Sequence, residues 1–369
     1  MKLAIYTISD DNNFGNRLQN YALQVVLNKH FGPTLTLQDR DSKKNYYSLM
    51  NEMKLSPFLL PLKVAKHILR EKNVSHLDSS LNVWRRQRLF RDFTKKYVPK
   101  FRNRGINDAI DCFVIGSDQI WNPHFRVNLE NDFLSDIKHK KVISYAASVG
   151  LDKLSRDEIK IFDKGLKSLD AISVREFSAQ QMLHSHTDKN IVVSIDPTML
   201  LTFDDWHKLS QNANQYVRKQ QKFLITYFLG EITTIESEYI SRFANAKQLQ
   251  IINISDKKSD LYTKIGPLEF LWLFDNTEAV FADSYHAAVF SIIFKKYFEI
   301  FERHDSLSKM NTRMFTLFKH FEIENRMHNV QENMNFLPDV DYNKIDKKLE
   351  SKQKEALNWV TLNLGKSDY

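Results

Sequence analysis

Short apolar runs of strand length alternate with helical patterns along most of this chain, and that alternation restricts its fold more than any other feature. Such βα units close into parallel sheets covered by helices on both faces. "KLAIYTIS" (2–9) leads into "RLQNYALQVVLNKHF" (17–31), whose apolar positions recur at helical spacing. "IDCFVIGS" (110–117), "KVISYAAS" (141–148), "DAISV" (170–174) and "IVVSI" (191–195) are further strand candidates, with helical candidates at 154–168 and 175–185. Pro and Asp residues interrupt the pattern at "DPTMLLTFDD" (196–205). It restarts with "KFLITYFLG" (222–230), "LQIINIS" (249–255), "EAVFADS" (278–284) and "YFEIF" (297–301), and a helical stretch at 344–364 is placed to fold back across both halves. The expected fold is α/β: an N-terminal Rossmann-like domain over 1–200 and a C-terminal one over 201–369, with a cleft between them.

Residues 40–104 do not fit the alternation and read as an insert of amphipathic helices. One of them, "NVWRRQRLFRDFTKKYV", interleaves Arg85, Arg86, Arg88, Arg91, Lys95 and Lys96 with Trp84, Phe90, Phe93 and Tyr97. A helix that packs its aromatics on the core and keeps a solvated basic face accounts for this pattern. Docking on an anionic membrane surface is a sharper use of the same face. No nucleic-acid-binding motif accompanies the charge, so nucleic acid is not expected as a partner.

Composition narrows the class further. The 369 residues carry 53 Lys+Arg against 45 Asp+Glu, a spread net charge of +8 that favours anionic partners without naming one. Cys112 is the only cysteine, which rules out an intrachain disulfide and a cysteine-rich metal site. His184 and His186 stand two apart, so a helix would point them to different faces, and no carboxylate cluster joins them; no metal is expected. Neither a cleavable signal nor a membrane-spanning run is evident, so a cytoplasmic protein is expected, with peripheral contact at the inner membrane face as the variant.

Ligands of open α/β sheets bind beyond the carboxyl ends of the strands, and four turns at such ends are rich in polar groups. "SDDNNFGNRLQN" places Gly15, Asn16 and Arg17 at a helix start; "GSDQIWNPHF" offers Asp118, Trp121 and Asn122. One strand runs directly into Arg175 and Glu176, and "FADSYHAAVF" puts Ser284, Tyr285 and His286 at another helix start. Each has an ordinary reading as well: a cap at Asn16, a structural turn around Asp118 and Trp121, an ion pair of Arg175 with Glu176 or an exposed carboxylate.

Seven segments taken in order resemble the polysaccharide pyruvyl transferases: "NFGNRLQNYALQ", "VIGSDQIWNP", "SYAASVG", "SVRE", "IDPTML", "ADSYHAAVFSIIF" and "SLSKMNTRM". The resemblance covers most of the chain. It implies two Rossmann-like domains in a glycosyltransferase-B-like arrangement. It also implies transfer of a pyruvyl group from phosphoenolpyruvate, as co-substrate and with no cofactor, onto two hydroxyls of a bacterial surface-glycan sugar, forming a cyclic ketal. The acceptor is then a capsule or exopolysaccharide glycan or a lipid-linked oligosaccharide.

That chemistry needs cationic forks for a phosphate and a carboxylate. Arg175 and Arg313 supply planar, permanently charged ones. Ser284, Tyr285, Ser308 and Asn311 complete the expected donor side, with the helix start at Ser284–His286 offering amides to an anion. His286 is the candidate general acid or phosphate-steadying group, and Asp118 the candidate base or hydroxyl-orienting group. Asn16, Arg17, Trp121 and Asn122 are expected to face the acceptor. Some members of the family have arginine two residues before the histidine; Ser284 stands there in this chain, and Arg313 is the expected substitute.

Two other classes compete. A glycosyltransferase of the same architecture using a nucleotide sugar needs a base-and-ribose pocket, of which the sequence carries no clear sign. A non-catalytic component of a capsule-assembly complex would explain the basic insert but leave His286 idle. G-x-G-x-x-G and Walker loops are absent from the sequence.

Overall fold

A computed structural model describes residues 1–37, 74–101, 109–304 and 312–365. The earlier part of the insert, including the helix expected within 57–72, lies outside the described residues. Two sheets organise the chain, and every strand pairing in them is parallel. The first contains β1 (Leu3–Tyr6), β2 (Thr34–Leu37), β3 (Lys100–Phe101), β4 (Cys112–Ile115), β5 (Lys141–Ala147), β6 (Ala171–Val174) and β7 (Ile191–Val193), in the order β3-β2-β1-β4-β5-β6-β7. The second contains β8 (Phe223–Tyr227), β9 (Gln250–Asn253), β10 (Ala279–Ala282) and β11 (Tyr297–Ile300), in the order β11-β10-β8-β9.

Central strands of parallel sheets are covered on both faces, so they read as unbroken apolar runs. "LAIY", "CFVI" and "AVFA" are buried at every position. Each sheet reverses its winding once: at β1/β4 in the first and at β8/β10 in the second. The turns beyond those strand ends are where such folds hold ligands.

The helices are α1 (Phe14–Phe31), α2 (Val74–Tyr97), α3 (Arg156–Lys167), α4 (Phe177–Leu183), α5 (Phe203–Ser210), α6 (Thr234–Lys247), α7 (Pro267–Asn276), α8 (Tyr285–Ile293), α9 (Thr312–Phe321) and α10 (Tyr342–Leu364). The segment at 196–205 is more than a break: Thr202 and Asp205 form a capping box that starts α5. A common core joins the two halves. The Phe14 ring of α1 stacks on Phe270 of α7 at 4.5 Å and lies 5.0 Å from Phe90 of α2 and 5.8 Å from Tyr227 of β8. Trp206 of α5 meets Phe290 of α8 at 5.2 Å. The last helix returns to the first sheet, where Trp359 packs near Tyr145, Gln353 donates to the Met199 carbonyl at 2.7 Å, and Lys141 donates to the Asn363 carbonyl at 2.8 Å.

Helix α2 corrects part of the reading of the insert. Phe90 and Phe93 are core, as an amphipathic helix requires, but Arg86 is not on the solvated face. It is 5% exposed, with its guanidinium 4.5 Å from the Phe14 ring and 4.2 Å from the Tyr262 ring. Arg85, Arg88, Arg91, Lys95 and Lys96 remain outward, beside Trp84 at 43% exposure.

Candidate active site

The first switch point is assembled by the turns after β1 and β4. Asp118 adopts a left-handed backbone, φ 65°, a conformation that Asp tolerates better than most residues. Its carbonyl accepts from Ser148 N at 2.9 Å, which fixes the turn against the end of β5. Its carboxylate accepts from Asn16 Nδ2 at 3.0 Å. The Asn16 amide oxygen accepts in turn from Asp10 N and from Arg17 Nε and a terminal guanidinium nitrogen, and Arg17 also donates to the Ile8 carbonyl. Asn16 and Arg17 are thus buried groups that shape the turn after β1.

Arg175, at the end of β6, is the hub. One terminal nitrogen donates to Asp196 Oδ2 at 2.6 Å and the other lies 3.5 Å from Asp118 Oδ1. Asp196 follows β7 and is fully buried. Its other oxygen accepts from Thr198 N and Oγ1 at 3.0 and 2.7 Å. The sequence places Asp196 in "IDPTML", but only the fold shows it as the shared anion of the site. Arg175 thus pairs with neither Glu176 nor an exposed carboxylate, the ordinary reading of this position. Glu176 is buried and accepts from Ser148 Oγ, Val149 N and Gly150 N, which orders the loop after β5.

The second half brings α8 against this cluster. His286 is 7% exposed, and its Nε2 stands 3.6 Å from Asp196 Oδ2, an ion-pair distance longer than a hydrogen bond. Its ring occupies the space above Gly15, where an added Cβ would sit 1.9 Å from Nδ1. Gly15→Ala is therefore expected to push the imidazole out of place and lower turnover by about 10²-fold, the scale that a misplacement near 1 Å produces. Steady-state kinetics with a thermal melt check this; an unchanged rate would show that the ring's seat is not needed.

Tyr285 lies beneath two cations. The Arg175 Cζ is 4.6 Å and the Arg313 Cζ 5.7 Å from its ring centre. Burial and the nearby Asp196 charge raise the phenol's pKa, so it stays neutral. Among the described residues, the Nε atoms of Arg175 and of half-buried Arg313 have no hydrogen-bond partner. Burial, then repulsion from Arg175, brings Arg313 down to about 10, still cationic near neutrality. Ser284 caps α8 by position only, since its hydroxyl makes no capping bond. Burial works to raise both carboxyls of the cluster but is outweighed: for Asp118 by Arg175, His286 and Arg313, for Asp196 by His286 and Arg175. Both are held below the ordinary carboxylate value.

The fold therefore brings His286, Asp118, Arg175, Ser284, Tyr285 and Arg313 together at one centre, with Asn16 and Arg17 behind it. Trp121 and Asn122 are corrected. The indole is fully buried, stacked on Phe133 at 5.1 Å and edge-on to Phe162, where it cannot touch a glycan. Asn122 is equally buried and accepts from His124 N. The "WN" pair anchors its turn to the sheet instead of facing a ligand. Ser308 and Asn311 lie outside the described residues. Among the described residues no group of three His, Cys, Asp or Glu could hold a metal ion, and no helix is long and apolar enough to cross a membrane.

Two Rossmann-like units that face each other through their switch points, with a cluster of arginines, histidine and carboxylates between them, define a glycosyltransferase-B-like α/β protein. The chain belongs to the polysaccharide pyruvyl transferase family, whose model matches residues 13–304, most of its length. Solved structures of similar shape include the UDP-GlcNAc 2-epimerase of Methanocaldococcus jannaschii in complex with UDP-GlcNAc and UDP (14% identity, TM-score 0.47, covering 99% of this chain and 100% of that one). The UDP-GlcNAc 2-epimerase of Neisseria meningitidis bound to UDP-GlcNAc is similar too (11%, 0.46, 97% and 100%), as is Anabaena HepE in complex with UDP and glucose (10%, 0.40, 98% and 100%). No curated protein matches this chain in sequence.

Proposed function

We propose that this transferase moves the pyruvyl group of phosphoenolpyruvate onto two hydroxyls of a surface-glycan sugar. The observation that carries the reading is the pair of buried or half-buried arginines over Tyr285, each with an unpartnered Nε, next to His286 at the start of α8. A donor with both a phosphate and a carboxylate suits two forks and a helix start, since helix N-termini and guanidinium edges both favour anions. In the reaction the methylene carbon of the donor gains a proton, two sugar oxygens bond to its central carbon, and the bond from that carbon to the phosphate oxygen breaks. One hydroxyl proton ends on the new methyl group and the other leaves with the phosphate. His286 is the group best placed to deliver a proton or steady the departing phosphate. Asp118, held below the ordinary carboxylate value, is a poor proton acceptor and orients an acceptor hydroxyl. Family membership favours this reading over nucleotide-sugar transfer.

Mass spectrometry of glycan acceptors incubated with phosphoenolpyruvate tests it: the pyruvyl mass increment should appear with stoichiometric phosphate release. Release of phosphate with no ketal, or transfer from a nucleotide sugar instead, would overturn it.

The outward face of α2 fits an anionic membrane surface at which a lipid-linked acceptor would reside. Arg85, Arg88, Arg91 and Lys95 recur at spacings of three or four residues, with Lys96 and the exposed Trp84 alongside. Each such charge contributes on the order of 1 kcal/mol near the surface, less with salt. Changing Arg85, Arg88 and Arg91 to Gln should abolish most sedimentation with anionic vesicles at low salt. Wild-type protein that fails to sediment under those conditions would refute membrane docking.

A further inference from the structure

Arg86 is a buried cation that the donor reading does not use. It is 5% exposed, makes no ion pair among the described residues, and its Nε has no hydrogen-bond partner. Its faces are covered by Phe14 and Tyr262, at 4.5 and 4.2 Å, with Phe90 at 5.9 Å. Stacking of this kind occupies the π-faces of a guanidinium and leaves its N–H edge free for an anion. The two carboxylates whose charges act on the neighbouring Tyr227 each accept backbone N–H bonds: Asp283 from Leu229 N and Gly230 N, both at 2.7 Å, and Asp10 from Asn12 N at 2.8 Å. Burial pushes the neighbouring Tyr227 phenol up to about 12, with the Arg86 charge working the other way, so this ring does not supply a counter-charge near neutrality.

Its position matters as much as its lack of a partner. Phe14, whose ring it covers, is the first residue of α1, an 18-residue helix. A guanidinium beside the positive end of a helix is the reverse of the usual preference, unless an anion lies between them. Gly15, the next residue, is the seat of the His286 ring, and Tyr227 ends β8 at the second switch point. Arg86 therefore lies against Phe14, one residue of α1 before the Gly15 seat of His286.

We propose that Arg86 is a second anion subsite, which binds a phosphoryl group carried by the acceptor, and that the acceptor is a diphosphate-linked sugar. This rests on the reading that Arg175 and Arg313 hold the anionic groups of the donor. With those assigned, a neutral sugar gives a further buried guanidinium nothing to bind, whereas a sugar diphosphate does. The sugar then lies over His286 and Asp118 while its diphosphate reaches Arg86.

The test measures binding of inorganic pyrophosphate and, separately, phosphoenolpyruvate by calorimetry to wild type, Arg86→Met and Arg175→Met, each first shown to be folded by circular dichroism. The Arg86 change should weaken pyrophosphate at least about tenfold and leave phosphoenolpyruvate within about twofold. The Arg175 change should do the opposite. Arg86→Lys keeps the charge, loses the fork and should fall between; it serves as the decisive variant if Arg86→Met does not fold. Pyrophosphate affinity unchanged in the folded Arg86 variant overturns the subsite. Pyrophosphate binding that depends on Arg86 in a protein that does not bind phosphoenolpyruvate would sink the donor reading alone. Competition by uridine diphosphate and by farnesyl diphosphate then separates a nucleotide-linked acceptor from a lipid-linked one, and the subsite requires that at least one of them binds more weakly to the Arg86 variants.

Discussion

His286→Ala should give a folded protein whose pyruvyl transfer is slower by about 10²–10⁴, the usual contribution of a positioned acid or base. The ring is buried at the start of α8, stands 3.6 Å from Asp196, and is seated over Gly15, so its removal leaves the strands and their pairings intact. His286→Gln separates chemistry from shape: it fills similar space and can hydrogen-bond but cannot exchange a proton near neutrality. Both variants should be similarly slow, with melting temperatures close to that of wild type. A Gln variant with near wild-type turnover would mean that the residue only fills and orients, and that the proton comes from elsewhere.

Asp196→Asn should lower stability by about 3 kcal/mol near neutral pH. Removing one member of a buried pair typically costs about 3–5 kcal/mol, because the remaining charge stays buried without compensation. Asp118 remains within 3.5 Å of Arg175, which argues for the low end. The pH dependence has a definite sign. The carboxyl of Asp196 is depressed in the folded protein, so its contribution is fully present above the unfolded value of about 3.9 and is lost as pH falls toward the folded value. Urea denaturation of wild type and mutant should show a gap that is constant from neutrality to about pH 5 and narrows below about pH 4. A gap under about 1 kcal/mol at pH 7 would show that Arg175 does not need this partner.

The central strands were legible because a parallel sheet demands unbroken apolar runs, and "LAIY" and "AVFA" meet that demand without help from the rest of the chain. β2 and β3 were not: "TLTL" breaks the apolar run with threonines, and two-residue β3 exists only because it pairs with β2 at the edge of the sheet. The site was legible where a strand end and a polar residue coincide, as at Arg175 and His286. It was misread where a polar or amphipathic side chain turns inward. Trp121 and Asn122 resemble ligand contacts in a turn but are buried beneath it. Arg86 sits among outward arginines two and five residues further on, and nothing in that spacing shows that Phe14 and Tyr262 will enclose it. Asp196 is not singled out by sequence, because a carboxylate before proline is ordinary turn chemistry until the ends of β4 and β6 and the start of α8 converge on it.

The path of α10 has a mechanical consequence. The chain passes from the first sheet to the second once, between Val193 and Phe223, and α10 carries it back to dock beside Tyr145, Lys141 and Met199. That crossing, the return of α10 and the core shared by Phe14, Phe90, Phe270 and Tyr227 together hold the halves, so neither can move without breaking contacts with the other. The contacts between Gly15 and His286, His286 and Asp196, and Arg175 and Tyr285 all cross the gap between the halves. Any separation of the halves would pull those pairs apart together, so the charge cluster exists only while the halves are in contact.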